Sequence, residues 1–399
     1  MAKECFKEIN NSICDCKVCT GCSACMNICP QNAITMKNNE YDEIHPFIDI
    51  NKCIGCNLCK KVCPNNETVK SFKPMECYAS IRKDNIKRKD SSSGGICAVL
   101  YEKYIEIGNI VYGVKFNREE GAKFYRAENI EDIIDFKGSK YVQANMNIIY
   151  KQIEKDIIEG KKVLFIGTPC QVAGVKSYFN MKSLEFQNNL ATVDFLCHGC
   201  VPNKYLLDEI TTIEKKNKCK CDTVSFRSND LNKNYYLCLK NNDKVFYRKK
   251  AEKQRYFYSF LHSITIRECC VNCKYKQTQR MGDITLGDFL GLGVEIPFKY
   301  SNIVNNPSLV LVNTKKGDEM LKLISDQIEL WKRPLEEAVK GGPSFRNKNG
   351  NMVFRKIFRK KYPRNGFVKS INHIIVFAHI YDWIKKYYRK VKKRLFFLS

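Results

Sequence analysis

The sequence predicts an α+β multidomain fold: a small cysteine-framed module, then an α/β domain built on a mixed sheet, then a basic helical tail. Three observations predict it. A cysteine pattern occurs twice in the first 64 residues, apolar strand runs alternate with helical spacing from Glu76 onward, and Phe345 to Ser399 carries 16 Lys/Arg against Asp382 alone.

The first run is Cys19, Cys22, Cys25, Cys29 with Pro30, and the second is Cys53, Cys56, Cys59, Cys63 with Pro64, each cysteine lying 34 residues from its twin. Both read C-x2-C-x2-C-x3-C-P, the frame of bacterial two-cluster ferredoxins. Three thiolates of one tight loop hold three corners of a 4Fe-4S cube, and the fourth ligand comes from the other run. The frame therefore assigns Cys19, Cys22, Cys25 and Cys63 to one cluster and Cys53, Cys56, Cys59 and Cys29 to the other. Gly21 and Gly55 recur at one position, where a residue without Cβ lets backbone N–H groups turn toward sulfur. Zinc knuckles also use C-x2-C pairs, but four cysteines in one run with a trailing Pro is poor zinc spacing. Cys16 permits a frame slipped by three residues; the Pro after Cys29 and the match to the second run favour the unslipped one.

At 399 residues the chain holds two or three domains, so the cysteine module serves a larger body. Twenty-two cysteines are too dilute for a disulfide scaffold, and Met1 to Asn10 does not read as a signal peptide. The expected setting is the reducing cytoplasm of an anaerobe. No apolar run reaches membrane-spanning length, the nearest being Ile374 to Ile380. Net charge is +26. In the tail, Asp382 to Arg394 mixes Trp383, Tyr387 and Tyr388 with cations, as a helix docking on an anionic membrane surface or an acidic partner would, although a solvated face fits equally. No nucleic-acid motif accompanies the charge, and no nucleic acid is expected.

Along the chain, residues 1–18 read as a leader, 19–66 as the two-cluster module and 67–76 as a linker marked by Pro74. Residues 77–160 and 161–333 form the two parts of the larger domain, and 334–399 the tail. Strand candidates are Cys77 to Arg82, Ile110 to Phe116, Val163 to Gly167 and Ala191 to Leu196. Helical spacing covers Gly94 to Ile107, Asn145 to Ile158, a helix from Gln171, and Asn203 to Lys215. Val224 to Arg227, Tyr235 to Leu239, Lys244 to Tyr247 and Ser308 to Asn313 read as an antiparallel part.

Two segments have the texture of ligand sites. Ser91-Ser-Ser-Gly-Gly95 precedes a helix, where small side chains and N–H groups suit phosphate, or where Ser simply caps. Gly167-Thr-Pro-Cys-Gln171 ends a buried strand, where α/β sheets place ligands, or makes a plain strand-to-helix turn. Cys170, Cys197, Cys270 and Cys273 would close a third tetrahedral site if they converge, or remain buried thiols if they do not.

SSSGG, KGSKYVQ (Lys137 to Gln143), GTPCQVAG (Gly167 to Gly174), CHG (Cys197 to Gly199), FRSND (Phe226 to Asp230), CCVNCKYK (Cys269 to Lys276) and DITLGDFLG (Asp283 to Gly291) together resemble the ordered signatures of the coenzyme F420 hydrogenase/dehydrogenase β-subunit family. The resemblance implies that the α/β domain binds FAD and a third 4Fe-4S cluster, the latter through Cys170, Cys197, Cys270 and Cys273 with Cys269 as the spare thiol. It implies that Ser92, Ser93, Gly94 and Gly95 approach the FAD phosphates and that Gly138, Ser139 and Lys140 lie near flavin or substrate. Lys140 then offsets negative charge on reduced flavin, or is a solvated loop lysine. Gly167, Thr168 and Gln171 complete the expected cofactor contacts. The tail lies outside the resemblance.

The expected function is that of an iron–sulfur flavoprotein oxidoreductase. Electrons pass between 4Fe-4S clusters and FAD, to or from a hydride-accepting coenzyme or organic substrate. The alternatives are a non-catalytic electron-relay subunit of a larger redox complex, and a ferredoxin-dependent reductase of a biosynthetic intermediate. A redox partner protein, ferredoxin or a hydrogenase/dehydrogenase-type subunit, is expected, as is a cytoplasmic location, peripheral to the inner membrane face if the tail docks there. His198 beside Cys197 supplies a proton, but a hydrogen bond to cluster sulfur or the place of a satisfied core histidine is the favoured reading. No catalytic acid is assigned.

Overall fold

The computed structural model describes residues 13–89, 91–227, 235–299, 306–346 and 350–396, the side chains of Leu184, His379 and residues 381–396 excepted. Residues 1–12 of the leader, residues 228–230 of the FRSND motif, and the side chains of Trp383, Tyr387 and Tyr388 thus lie outside the described residues.

The cysteine module repeats its own backbone. Gly21 and Gly55 have φ of 65° and 69°, and Ser23 and Asn57 have 66° and 59°, so both loops bend through the left-handed region at matched positions. Each bend delivers the chain into a short helix, α1 (Ala24–Ile28) and α2 (Leu58–Lys61). Between them β1 (Ile34–Asn38) and β2 (Ile44–Ile48) pair as an antiparallel hairpin. The linker is pinned rather than loose: Phe72 and Arg280 exchange two backbone hydrogen bonds of 2.8 Å.

The larger domain begins with β3 (Glu76–Arg82), α3 (Asn85–Lys89), α4 (Ile96–Glu106), β4 (Ile110–Asn117) and β5 (Gly121–Ala127). It continues with α5 (Ile149–Ile158), β6 (Val163–Gly167), α6 (Pro169–Asn180), α7 (Leu184–Asn189), β7 (Leu190–Phe195) and α8 (Asn203–Asn217). Helix α5 starts four residues later than its spacing predicts, after Asn147 at a φ of 42°. Helix α6 starts two residues earlier, because Thr168 and Gln171 form a reciprocal capping box and Pro169 fits the first helical position. Strands β8 (Thr223–Arg227), β9 (Tyr235–Asn241) and β10 (Lys244–Lys250) form a separate antiparallel sheet, followed by α9 (Arg255–Leu261). After β11 (Ile284–Asp288) come β12 (Ser308–Val312), α10 (Lys315–Leu323), β13 (Ile328–Lys332), α11 (Leu335–Gly341) and α12 (Met352–Phe396).

One sequence expectation is corrected here. Strand β12 does not join the small antiparallel sheet; it lies between β11 and β3 in the main one. All five of its residues are buried, and a run apolar on both faces needs a sheet covered on both sides. The short strands β5 and β13, whose alternation carries several polar residues, had no strand assignment from sequence.

The main sheet has eight strands in the order β13-β3-β12-β11-β7-β6-β4-β5. Its centre, β4, β6, β7 and β11, is parallel and its flanks are antiparallel. Parallel strands bring their carboxyl ends to one edge, so Gly167, Cys197 and Asp288 emerge there together. One face is covered by α4 and α10 through Val99, Leu100 and Leu321. The other face is covered by α5, α6, α8 and α9, and its core runs without a break into Ala24, Cys25, Val62 and Cys63 of the cysteine module.

Helix α12 is broken at Gly366, whose φ is 68°. Before and after the break, Phe358, Tyr362, Phe367 and Ile371 are buried, with the Phe367 ring stacked 5.4 Å from Tyr205 of α8. Arg359 reaches Glu43 of the hairpin at 2.6 Å and lies 3.7 Å over the Tyr41 ring, while the Tyr362 hydroxyl donates to Asp42. The first half of the helix thus straps the module to the body.

Candidate functional site

Cys29, Cys53, Cys56 and Cys59 line one cavity of about 140 Å³ at the surface. Cys19, Cys22, Cys25 and Cys63 line a second, deeper cavity together with Ser23 and Cys14. Each set takes three thiols from one run and the fourth from the other. Cys53 and Cys56 are exposed, whereas Cys19, Cys25 and Cys63 are buried, so the first site is outer and the second inner. Among the described residues no three His, Cys, Asp or Glu side chains close on a single ion. The thiols instead stand around cavities, which suits a cube better than a zinc tetrahedron. The donor set fits in detail: the Ala33 N–H points at Cys29 Sγ from 3.3 Å, and the buried Ser23 hydroxyl on the inner cavity has no other partner among the described residues.

A third group of thiols lies at the carboxyl edge of the sheet. Cys170, on the first turn of α6, is in the electrostatic neighbourhood of Cys273, Cys197 and Cys270. Burial pushes the Cys170 thiol up and raises Cys273 to about 12. The Cys269 hydrogen bond lowers Cys270 to about 6 against the opposing effect of burial, with the Arg267 guanidinium adding to it. Cys200 also belongs to this group, its thiol neighbouring that of Cys197. Its C-x2-C spacing from Cys197 was the signal for it, and it escaped the sequence reading. Thr168 and Gln171 sit beside this group rather than in an open cleft. Thr168 Oγ1 is 3.2 Å from Cys170 Sγ and donates to Gln171 Oε1 at 2.8 Å, and Gln171 Nε2 donates to Ala144 O at 3.1 Å. A Cβ on Gly167 would meet the Phe165 ring at 2.9 Å, which accounts for glycine there.

The inner site and this third group are packed against each other. Tyr150 donates to Cys22 O at 2.5 Å, Ser177 donates to Val62 O at 2.8 Å, and the Lys274 ammonium reaches Pro64 O. Arg267, 2% exposed, donates to Thr20 O, to Cys19 O at 3.3 Å and to Ile44 O at 2.9 Å, and its charge also acts on Cys269 and Cys270. The buried Tyr275 side chain lies near Cys170, Cys22, Cys273 and Cys63. Gly174 of α6 is what permits the approach: an added Cβ would come 2.6 Å from Tyr150 Oη and 3.0 Å from Cys22 Sγ. Gly174→Ala is therefore expected to destabilise the protein by about 1–3 kcal/mol. It should also alter the electron paramagnetic resonance signal of the inner cluster, while one from the outer site stays unchanged.

The segments expected near FAD meet on the other side. Ser139 N donates to Ser92 Oγ at 2.8 Å, joining KGSKYVQ to SSSGG. Gly94 N donates to Ser308 Oγ at 3.0 Å, and Gly95 and Gly138 adopt φ of 91° and 79°. The ammonium of half-buried Lys140 donates to Asp135 O at 2.7 Å and Lys137 O at 2.9 Å, and burial lowers it to about 7. Four residues absent from the expected site complete this corner. Arg227 binds Asp288 and Tyr141 at 2.6 Å each and donates to Ser92 O at 3.1 Å, while the Tyr235 hydroxyl donates to Asp288 at 3.0 Å. Tyr141, Arg227 and Asp288 belong to three of the sequence signatures, which was the available clue; Tyr235 belongs to none.

A row of rings links the two regions. His198, adjacent to Cys197, lies 5.0 Å from the Phe260 ring, which lies 5.4 Å from Tyr141. His198 Nε2 is 3.2 Å from Phe260 O, so one of its nitrogens is engaged with the fold.

Residues 160–338 match the family described as the C terminus of the coenzyme F420 hydrogenase/dehydrogenase beta subunit, and residues 18–66 match the 4Fe-4S dicluster domain. No curated protein matches the chain. Among solved structures, a chain from the F420-reducing NiFe hydrogenase complex of Methanosarcina barkeri is 20% identical, with a TM-score of 0.41 over 75% of this chain and 90% of that one. The chain is thus an iron–sulfur redox protein in which a segment matching the 4Fe-4S dicluster domain precedes one similar to the C terminus of the coenzyme F420 hydrogenase/dehydrogenase beta subunit.

Proposed function

We propose that the protein is an oxidoreductase that carries electrons between an external one-electron carrier and an organic hydride acceptor or donor. The outer and inner sites hold 4Fe-4S clusters on their eight cysteines. Cys170, Cys197, Cys270 and Cys273 hold a third, and FAD is bound by Ser92, Ser93, Gly94, Gly95, Gly138, Ser139 and Lys140. When bound, the clusters supply one-electron steps and FAD supplies hydride chemistry. The observation that carries this reading is the unbroken packing from Cys22 past Gly174 and Tyr150 to Cys170, and from Cys197 past His198 and Phe260 to Tyr141 beside Lys140.

The chain's own residues have separable tasks. Exposed Cys53 and Cys56 sit among exposed Ile50, Ile54, Lys52, Lys60 and Lys61, a face that fits an acidic electron carrier. Arg267 and Lys274 set positive charge between the inner and third thiol groups, opposing the negative charge that thiolate-bound clusters bring. Arg227, oriented by Asp288, holds the Ser92 carbonyl and the Tyr141 hydroxyl in place. Exposed Val376, Phe377 and Ile380 lead into the basic end of α12, where vesicle flotation would separate docking on an anionic membrane from docking on an acidic partner.

Lys140 makes one role testable by pH. With its ammonium lowered to about 7, it is charged below that pH and neutral above it. The flavin potential should therefore rise more steeply as pH falls through 7, and Lys140→Met should remove that inflection. At pH 6 the variant should sit lower by ~30 mV, equivalent to about 1.4 kcal/mol for a two-electron couple. Cys170→Ala tests the route itself. It should keep FAD and about eight irons, yet a reduced one-electron donor should no longer reduce its flavin at the wild-type rate in anaerobic stopped flow. An unchanged rate would remove the third cluster from the path.

A further inference from the structure

We propose that Cys14 is a reserve ligand of the inner iron–sulfur site, placed to take over from Cys63. The inference rests on the reading of that cavity as a cluster site. Cys14 lies outside the repeated frame, yet it is 8% exposed and lines the inner cavity beside Cys19, Cys22, Cys25 and Cys63. Its thiol lies beside those of Cys19 and Cys63 at that cavity. Among the described residues the site therefore holds five thiols where a cube uses four.

The backbone fixes Cys14 on the Cys63 side. Asn65, two residues after Cys63, donates from its carboxamide to Val18 O at 2.9 Å, and Asn66 donates to Ile13 O at 2.6 Å. These bonds tie segment 13–18 to the chain leaving Cys63. Val18 N and Cys19 N both donate to Asp15 O at 3.1 Å, closing a turn that leaves Cys14 and Cys19 at the same cavity. The repeat supplies an internal comparison. The position 34 residues after Cys14 is Ile48, which lines the outer cavity, so the matched place in the outer site has an apolar side chain and no spare thiol.

The exchange is a ligand substitution without redox change. With Cys63 replaced by alanine, the Cys14 thiol would release its proton to solvent and supply the thiolate that Cys63 supplies in the wild type. One thiolate replaces another and the total charge of the liganded cluster is unchanged.

The test compares wild type, Cys63→Ala, Cys14→Ala and Cys14→Ser/Cys63→Ala, each purified anaerobically, by iron and sulfide per chain and by electron paramagnetic resonance of the reduced protein. Both single variants should keep the wild-type iron content, with the inner-cluster signal of Cys63→Ala shifted by its new ligand. The double variant should lose about four irons. Serine preserves the shape of the buried position, and circular dichroism of the double variant checks that it is folded. Loss of about four irons from either single variant overturns the proposal, as does a folded double variant that keeps them. A wild type without iron would instead overturn the reading of the site.

Discussion

Replacing Cys29 with alanine is expected to abolish the outer cluster and spare the inner one, although Cys29 follows the inner-site cysteine Cys25 by four residues. Helix α1 separates the two thiols: Cys25 is buried toward α6, while Cys29 lines the cavity made by Cys53, Cys56 and Cys59. Among the described residues no surplus thiol lines that cavity to replace it. The variant should lose about four irons and four sulfides per chain, together with the outer-cluster resonance. Cys25→Ala should have the opposite pattern. If Cys29→Ala removed the inner signal, the exchange of fourth ligands would be wrong.

Arg359→Met should be strongly destabilising. Glu43 is 3% exposed, and burial alone would raise its carboxyl. His45, 3.9 Å away, and the Arg267 and Arg359 guanidiniums instead hold it at about 2. Removing Arg359 leaves a buried carboxylate short of a partner, at an expected loss of about 3–5 kcal/mol. Lys322 and Asp318 make an exposed pair of 2.8 Å on α10, and Lys322→Met should change stability far less. Because the folded carboxyl is depressed below its unfolded value of about 4.3, its contribution is present above that pH and fades as pH falls toward 2. At neutral pH it amounts to about 3 kcal/mol, and by pH 4 about 0.6 kcal/mol of it is lost. Denaturant unfolding of anaerobic protein at pH 7 and pH 4 should show the gap between wild type and Glu43→Gln narrowing. A gap independent of pH would mean that Glu43 acts by packing alone.

The strap that Arg359 belongs to was illegible in the sequence for a physical reason. Arg359 and Glu43 are separated by 316 residues, and an ion pair leaves no periodicity along the chain. The same holds for Arg227 and Asp288, although each stands in a recognisable motif. Local signals fared better. Thr168, Pro169 and Gln171 announce the start of α6, and the apolar run Val163 to Gly167 announces a strand buried on both faces. A grouping of the eight module cysteines into two crossed sets was legible as an expectation, because the repeat encodes it, and those sets line the two cavities. Cys14 was not, because a C-x4-C spacing has no meaning until the turn at Asp15 folds it back. Strand β12 shows the limit of strand reading: its apolar character was plain, but the identity of its neighbours β11 and β3 depends on topology.

The account depends most on three clusters and a flavin occupying one continuous path. Its most direct test is the iron, acid-labile sulfide and flavin content of anaerobically purified full-length protein. The account predicts about 12 irons, about 12 sulfides and one FAD per chain. About eight irons without flavin would reduce the protein to a relay, and zinc without sulfide would contradict the account altogether.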